Sequence, residues 1–360
     1  MIRVLIVEDS VTQREIFCRL LADDPELTVV ASARDGHEAI EQVRVCAPDV
    51  VLMDIHMPGM DGIAATTEIM QRSPVPIVIA SATLKKRDVD LAMKAYEAGA
   101  VAVIEKPAGA VLLHLRKIAD DLRRELIAAS RARVGQAPAA RAANSSAKRS
   151  AAPPAATRGT RPSPFEVVGI CASTGGPPAL LKILKQLPRP FPRPILFVQH
   201  ISRGFEDGFV KWLATMTGHS IDIAADRQRL TPGIWMAPAG RHLTLRSQNR
   251  VELIPGTAGE IHCPSGNRLF ASLARCYGPR ALGIQLTGMG DDGAEGLLAL
   301  KQAGGATIVQ DEASCMIWGM PKAAIQLGAA NRELDLDGIA RALTDMTQAD
   351  AAQGPLPSEK

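Results

Sequence analysis

Residues 167–184 read VVGICASTGGPPALLKIL. A run of β-branched and small apolar residues stops at Ser173, two glycines follow, and Pro177 opens an apolar helical pattern. This is a strand, a tight turn and a helix, with proline at a favoured first-turn position. The pattern repeats outward from that point. Strands are predicted at Phe165–Ala172, Pro194–Gln199, Ala281–Leu286 and Ala306–Gln310, with helices near 177–187, 205–217 and 293–303. The stretch 219–262 is richer in strand and turn signals, and Gly233–Ala237 reads as a strand. The first third of the chain alternates in the same way. Strands are predicted at Ile2–Val7, Thr28–Ala33, Val50–Asp54, Pro76–Ser81 and Val101–Glu105, and helices at 11–22, 36–46, 61–71, 88–98 and 109–129. Such alternation implies an α/β protein with two doubly wound parallel sheets.

The two halves are separated by a segment of different chemistry. Residues 131–164 are dominated by Ala, Pro, Ser, Gly and Arg and contain no Leu, Ile, Phe, Trp or Tyr. No acid occurs between Glu125 and Glu166, while Arg131, Arg133, Arg141, Lys148, Arg149, Arg158 and Arg161 are all basic. A segment this poor in apolar side chains cannot offset its ordering entropy, and it is read as a flexible linker; a basic arm touching nucleic acid is the rival reading. The expected division is therefore a first domain over 1–125, a helix end and linker over 126–164, a second domain over 165–350 and a frayed tail over 351–360.

Composition excludes several classes. Aromatics make up only 3% of the 360 residues, which argues against nucleic-acid binding through stacking platforms. Lys plus Arg (41) nearly balance Asp plus Glu (38), so net charge names no polyanionic partner. No apolar run approaches the ~18 residues of a membrane span, and acids at Glu8 and Asp9 interrupt the N-terminus before a signal-peptide core could form. A cytoplasmic location without membrane insertion is expected. The six cysteines form no CxxC pair and the histidines no HExxH, so reduced thiols and no structural zinc are expected.

Sites in open parallel sheets form outside the carboxyl ends of the strands. In the first domain those ends carry Glu8 and Asp9, Asp54, Ser81, and Glu105, Lys106 and Pro107. Three carboxylates on one rim repel one another unless a cation lies among them, and hard oxygens suit Mg²⁺. A lysine and a hydroxyl opposite could contact a phosphoryl group, and Asp54 could be the carboxylate that accepts it. In the second domain Ser173, His200 and the pair Asp291–Asp292 emerge from three strand ends. A nucleophile, its base and the base's orienter are the parts of a serine hydrolase. The Gly-rich turn could equally cap its helix or hold a phosphate, although no GxGxxG occurs in this domain.

These residues carry two resemblances. VEDS, DIHMPGMDG and EKP (7–10, 54–62, 105–107) resemble the receiver domain of two-component response regulators. The resemblance implies a flavodoxin-like fold and phosphorylation of Asp54 by a chemotaxis histidine kinase. It also implies Mg²⁺ held by Glu8, Asp9 and Asp54, with Ser81 as switch hydroxyl and Lys106 as phosphate contact. Val103 stands where the family usually has an aromatic residue. CASTGGPPAL, VQHI, APAGRH, HCPSGNRLF, LTGMGDDGAEGL and QDEASCMIWGMPKAAI, in order over 168–325, resemble the chemotaxis protein-glutamate methylesterase family. That resemblance implies a Rossmann-like catalytic domain without a cofactor, Ser173 as nucleophile, His200 as base and Asp292 as orienter. It places oxyanion contacts on Thr174 and the Met289 amide. Expected substrates are methyl-accepting chemotaxis receptors, with glutamine deamidation as a second activity and intramolecular docking of receiver on catalytic domain as control. Nucleic acid is not an expected partner. Ser202 and Arg203 depart from the family's QHMPxGF, and Gly266 and Asn267 from its PSVD.

Overall fold

The computed structural model describes residues 1–22, 24–81, 86–106, 112–135, 165–257 and 260–351. Most of the linker, the residues after 351 and Pro107 lie outside the described residues. In the first third, five strands alternate with five helices: β1 (Ile2–Val7), α1 (Val11–Ala22), β2 (Leu27–Ala33), α2 (Gly36–Cys46), β3 (Val50–Asp54), α3 (Gly62–Arg72), β4 (Ile77–Ser81), α4 (Lys86–Ala98), β5 (Ala102–Glu105) and α5 (Leu112–Ser130). The strands are parallel, in the order β2-β1-β3-β4-β5. β3 and β4 are buried along their whole length, as continuous apolar runs in a doubly covered sheet must be. Asp35 and Asp61 start α2 and α3 by accepting the Glu38 and Ala64 amides at 2.9 and 2.8 Å. These caps fix where each loop leaves the rim.

The second sheet has seven parallel strands. Its elements are β6 (Val167–Ala172), α6 (Gly176–Leu184), β7 (Pro194–Gln199), α7 (Glu206–Thr217), β8 (Ile221–Ile223), β9 (Gly233–Met236), the antiparallel hairpin β10 (Arg241–Ser247) and β11 (Arg250–Pro255), α8 (Gly266–Cys276), β12 (Ala281–Gln285), α9 (Ala294–Gln302), β13 (Ala306–Gln310), α10 (Met320–Gln326), β14 (Arg332–Leu334) and α11 (Leu336–Ala351). The strand order is β14-β13-β12-β6-β7-β9-β8. The chain leaves β6 toward β7 on one side and later builds β12, β13 and β14 on the other. The ends of β6 and β12 thus flank a topological switch point, where doubly wound sheets bind ligands. Both sheets are the α/β class expected from the strand–helix alternation.

α8 packs on β6, β12, α9 and the hairpin strand β10. Phe270, Leu273, Leu297 and Leu300 are completely buried there, beneath the loops that form the rim. No described helix is long and apolar enough to cross a membrane, and no disulfide joins the six cysteines. Truncating Phe270 to Ala leaves a cavity under α8 and α9. The substitution is expected to cost about 3–5 kcal/mol of unfolding free energy, measured as a lowered denaturant midpoint with unchanged slope.

Candidate active site and phosphoacceptor site

In the first domain, Glu8 and Asp9 follow β1, Asp54 ends β3, Ser81 ends β4 and Lys106 follows β5. Carboxylate oxygens of Glu8, Asp9 and Asp54 lie within 4.8 Å of one another. Lys106 Nζ reaches both Glu8 Oε2 and Asp54 Oδ1 at 2.7 Å, and the Lys106 amide donates to the Ser81 carbonyl at 2.8 Å. Glu8, Asp54 and Ser81 are almost fully buried, whereas Asp9 is exposed. Burial pushes the Glu8 carboxyl above its ordinary range; the Lys106 hydrogen bond opposes this and the Asp54 charge adds to it. The donor set is three hard oxygens converging on one point, which fits Mg²⁺. The Ser81 hydroxyl is buried and has no hydrogen-bond partner among the described residues. Val103 is buried in β5, and Tyr96 on α4 hydrogen-bonds its backbone; burial raises the Tyr96 phenol above its ordinary value.

In the second domain, β6 delivers Ser173 and β7 delivers His200. The Ser173 amide donates to the Thr287 carbonyl at 3.0 Å, and the His200 amide donates to the Ala172 carbonyl at 3.0 Å. Both loops are therefore stitched to the switch point. His200 Nε2 lies 2.9 Å from Asp292 Oδ2. Asp292 is buried, and burial by itself raises its pKa. The hydrogen bond and charge of His200, the Ser265 hydroxyl and the Gly266 amide outweigh this and hold the carboxyl well below its usual range. An ionised carboxylate only accepts, so Nε2 carries the proton, and in the neutral form of the ring Nδ1 holds the lone pair. Asp291, next in the turn, is exposed. Among the described residues no hydrogen bond joins the Ser173 hydroxyl to the His200 ring.

Several groups that build this site escaped the sequence reading. Gln199 and Gln310 end β7 and β13, and both are buried. Gln199 Nε2 donates to the Ser173 carbonyl at 2.8 Å, and Gln310 Oε1 accepts the Thr287 amide at 2.8 Å. Thr287 is a hub: its hydroxyl donates to the Thr174 carbonyl at 3.1 Å and accepts the Ile317 amide at 2.9 Å. His262 stacks on the His200 ring, centroids 4.6 Å apart and planes 8° apart. The available signal was a polar residue closing an apolar strand three times over, in FVQH, IQLTG and IVQDE. Gly288 is explained by close approach: a Cβ there would lie 2.7 Å from the Ser173 Cβ and 2.2 Å from the Met320 sulfur.

The CheB methylesterase family matches residues 168–343, and the response regulator receiver domain matches residues 4–116. "Protein-glutamate methylesterase/protein-glutamine glutaminase 3" of Myxococcus xanthus (strain DK1622) is 40% identical over 93% of this chain and 91% of that protein. The chain belongs to this methylesterase family. A second relative with the same printed name, from Anaeromyxobacter dehalogenans (strain 2CP-C), is 44% identical over 94% of this chain and 97% of that protein. The crystal structure of the Thermotoga maritima CheB methylesterase catalytic domain is 33% identical, covering 51% of this chain and 98% of that one, with a TM-score of 0.48.

Against the family pattern PSVD, Gly266 has a local cause. A Cβ at this position would lie 2.3 Å from Cys171 Sγ and 2.9 Å from Cys171 Cβ. Cys171 is fully buried at the end of β6, and burial, then the Asp292 charge, pushes its thiol well above the ordinary value. It fills volume as an inert thiol directly under the site. Ser202 is partly buried and Arg203 exposed in the loop after β7, and nothing in the structure explains either choice. Overpacking at 266 predicts that Gly266→Val destabilises the fold by about 1–3 kcal/mol or more. Adding Cys171→Gly should restore most of that loss. Thermal midpoints of the two single variants and the double variant provide the check, and purely additive midpoints would show that the two positions are not coupled.

Proposed function

We propose that this chain is a phosphorylation-activated serine esterase. Its reaction is hydrolysis of glutamate γ-methyl esters on methyl-accepting chemotaxis receptors, with deamidation of receptor glutamines as a second activity. Membership of the methylesterase family carries the activity. The observation that carries the mechanism is the pairing of half-buried His200 with buried Asp292 at the switch point where β6 delivers Ser173.

The Ser173 hydroxyl gives its proton to His200 Nδ1, and its oxygen attacks the ester carbonyl carbon. Asp292 holds Nε2–H and stabilises the imidazolium that results. The carbonyl oxygen takes up negative charge beside Thr174 and the Met289 amide, which makes no hydrogen bond among the described residues. The C–O bond breaks, methanol leaves with the proton from His200, and a glutamyl ester of Ser173 remains. His200 then takes a proton from water, whose oxygen attacks the ester. Glutamate is released and Ser173 is regenerated. A glutamine side chain follows the same path and releases ammonia. Each turnover leaves one more negative charge on the receptor, which shifts its signalling equilibrium.

Control lies with Asp54, the acceptor of a phosphoryl group from a chemotaxis histidine kinase. Glu8, Asp9 and Asp54 would hold Mg²⁺. When bound, that ion supplies charge neutralisation between phosphoryl and carboxylate oxygens. Lys106 leaves its ion pair with Asp54 to meet the incoming phosphoryl oxygens, and the Ser81 hydroxyl, without a hydrogen-bond partner among the described residues, donates to one of them.

The test is methanol release from methylated receptor membranes, with and without a small-molecule phosphodonor. Ser173→Ala should lose at least about 10³-fold in kcat. Asp54→Ala should keep the unstimulated rate and lose the response to phosphodonor. Wild-type turnover by Ser173→Ala would overturn the serine mechanism. An undiminished phosphodonor response in Asp54→Ala would overturn the control.

A further inference from the structure

Asp292 lies in the turn between β12 and α9, yet its carboxylate serves a different helix. Oδ1 accepts the Ser265 hydroxyl at 2.7 Å and the Asn267 amide at 3.2 Å, and Oδ2 accepts the Gly266 amide at 2.6 Å. These donors open α8. In exchange, Asn267 Oδ1 accepts the Gly293 and Gly296 amides at 3.0 and 2.9 Å, at the start of α9. The residues preceding the two helices, Ser265 and Gly293, make no side-chain capping bond of their own. Helix starts leave unpaired N–H groups that need acceptors. Here α8 receives its acceptor from the loop that leads into α9, and α9 receives its acceptor from the first turn of α8, so the catalytic carboxylate and Asn267 hold each other in place.

Building on the esterase reading above, we propose that Asn267 is a positioning residue for the Asp292–His200 pair. Its backbone amide holds the carboxylate, and its side chain holds the turn that presents it, without adding charge. The absence of charge matters because position 267 lies directly against the Asp292 carboxylate. An aspartate at 267 could accept the same two amides but would place a second negative charge beside Asp292. The groups facing the His200 ring are Asp292 at hydrogen-bond distance, the stacked His262 and the Cys171 thiol below. Arg268, next to Asn267, is engaged by Glu260 at 2.5 Å, and Asp291 is solvent-exposed. A carboxylate at 267 would therefore act on the imidazolium with Asp292 and stabilise it further. The acid limb of the activity profile would move to higher pH.

Methanol-release kinetics of the full chain over about pH 5–9 test this with Asn267→Ala, Asn267→Asp, Ser265→Ala and Asp292→Ala. Asn267→Ala should lower kcat by about 10–100-fold with KM changed by less than about twofold, the loss expected when the two neutral hydrogen bonds that hold the Asp292 turn are removed while the backbone amide to Asp292 remains. Asn267→Asp should recover most of that kcat and raise the midpoint of the acid limb of kcat/KM by about one unit. Ser265→Ala removes one donor to Asp292 without touching the α9 contacts, and should lose about 10-fold in kcat. If Asn267→Ala fails to fold, the other two substitutions decide. A folded Asn267→Ala with wild-type kcat, an unmoved midpoint in Asn267→Asp, or a wild-type Ser265→Ala would overturn the proposal. Asp292→Ala separates the two levels: wild-type turnover there sinks the triad reading itself, whereas an inactive Asp292→Ala beside a normal Asn267→Ala sinks only the positioning role.

Discussion

A buried carboxylate survives in an apolar interior only when enough donors compensate its lost hydration. Asp292 is that group. Three donors from the start of α8 and one from His200 converge on its two oxygens. Much of the second domain follows from this requirement. α8 must begin where the β12–α9 turn passes. His200 must leave β7 beside that turn. Gly266 must lack a side chain so that its amide can approach with Cys171 in place. Two of the donors are backbone amides at a helix start, so they are rigid and need little reorganisation when charge develops on the imidazole.

The rim of the first domain, the proposed phosphoacceptor site, uses the opposite arrangement. Its carboxylates are crowded rather than satisfied, and one ammonium bridges Glu8 and Asp54. Burial and the Asp54 charge raise Glu8 together, so this cluster is poised to gain from an added cation. One site is electrostatically complete before substrate arrives, and the other is completed by what binds. That difference suits a catalyst on one hand and a switch on the other.

The alternation of apolar runs with helical patterns made both sheets readable. β1, β3, β7 and β13 span the same residues in sequence reading and structure. Boundaries slipped where local signals were weak. The helix read near 177–187 ends at Leu184. β8, β10 and β11 were not anticipated one by one, because the 219–262 region alternates too irregularly to assign strand by strand, and α8, α10, β14 and α11 fall in stretches that the sequence reading left unassigned. Ser173, His200 and Asp292 could be singled out in the sequence because each stands in a loop that follows an apolar strand. The residues holding them were not. Gln199, Gln310 and Thr287 look like ordinary polar strand ends in one dimension, and only the strand order brings them to one point. The exchange between Asp292 and Asn267 spans 25 positions, and no local spacing rule reports it.

The central claim is that Asp292 fixes the His200 tautomer, leaving Nδ1 free to take a proton. Nitrogen-15 NMR of the histidine-labelled protein at neutral pH reads this directly. The structure predicts a His200 ring protonated at Nε2, hydrogen-bonded through that proton, and losing the bonded signal in Asp292→Ala. A ring protonated at Nδ1, or a His200 signal indifferent to that substitution, would contradict the account.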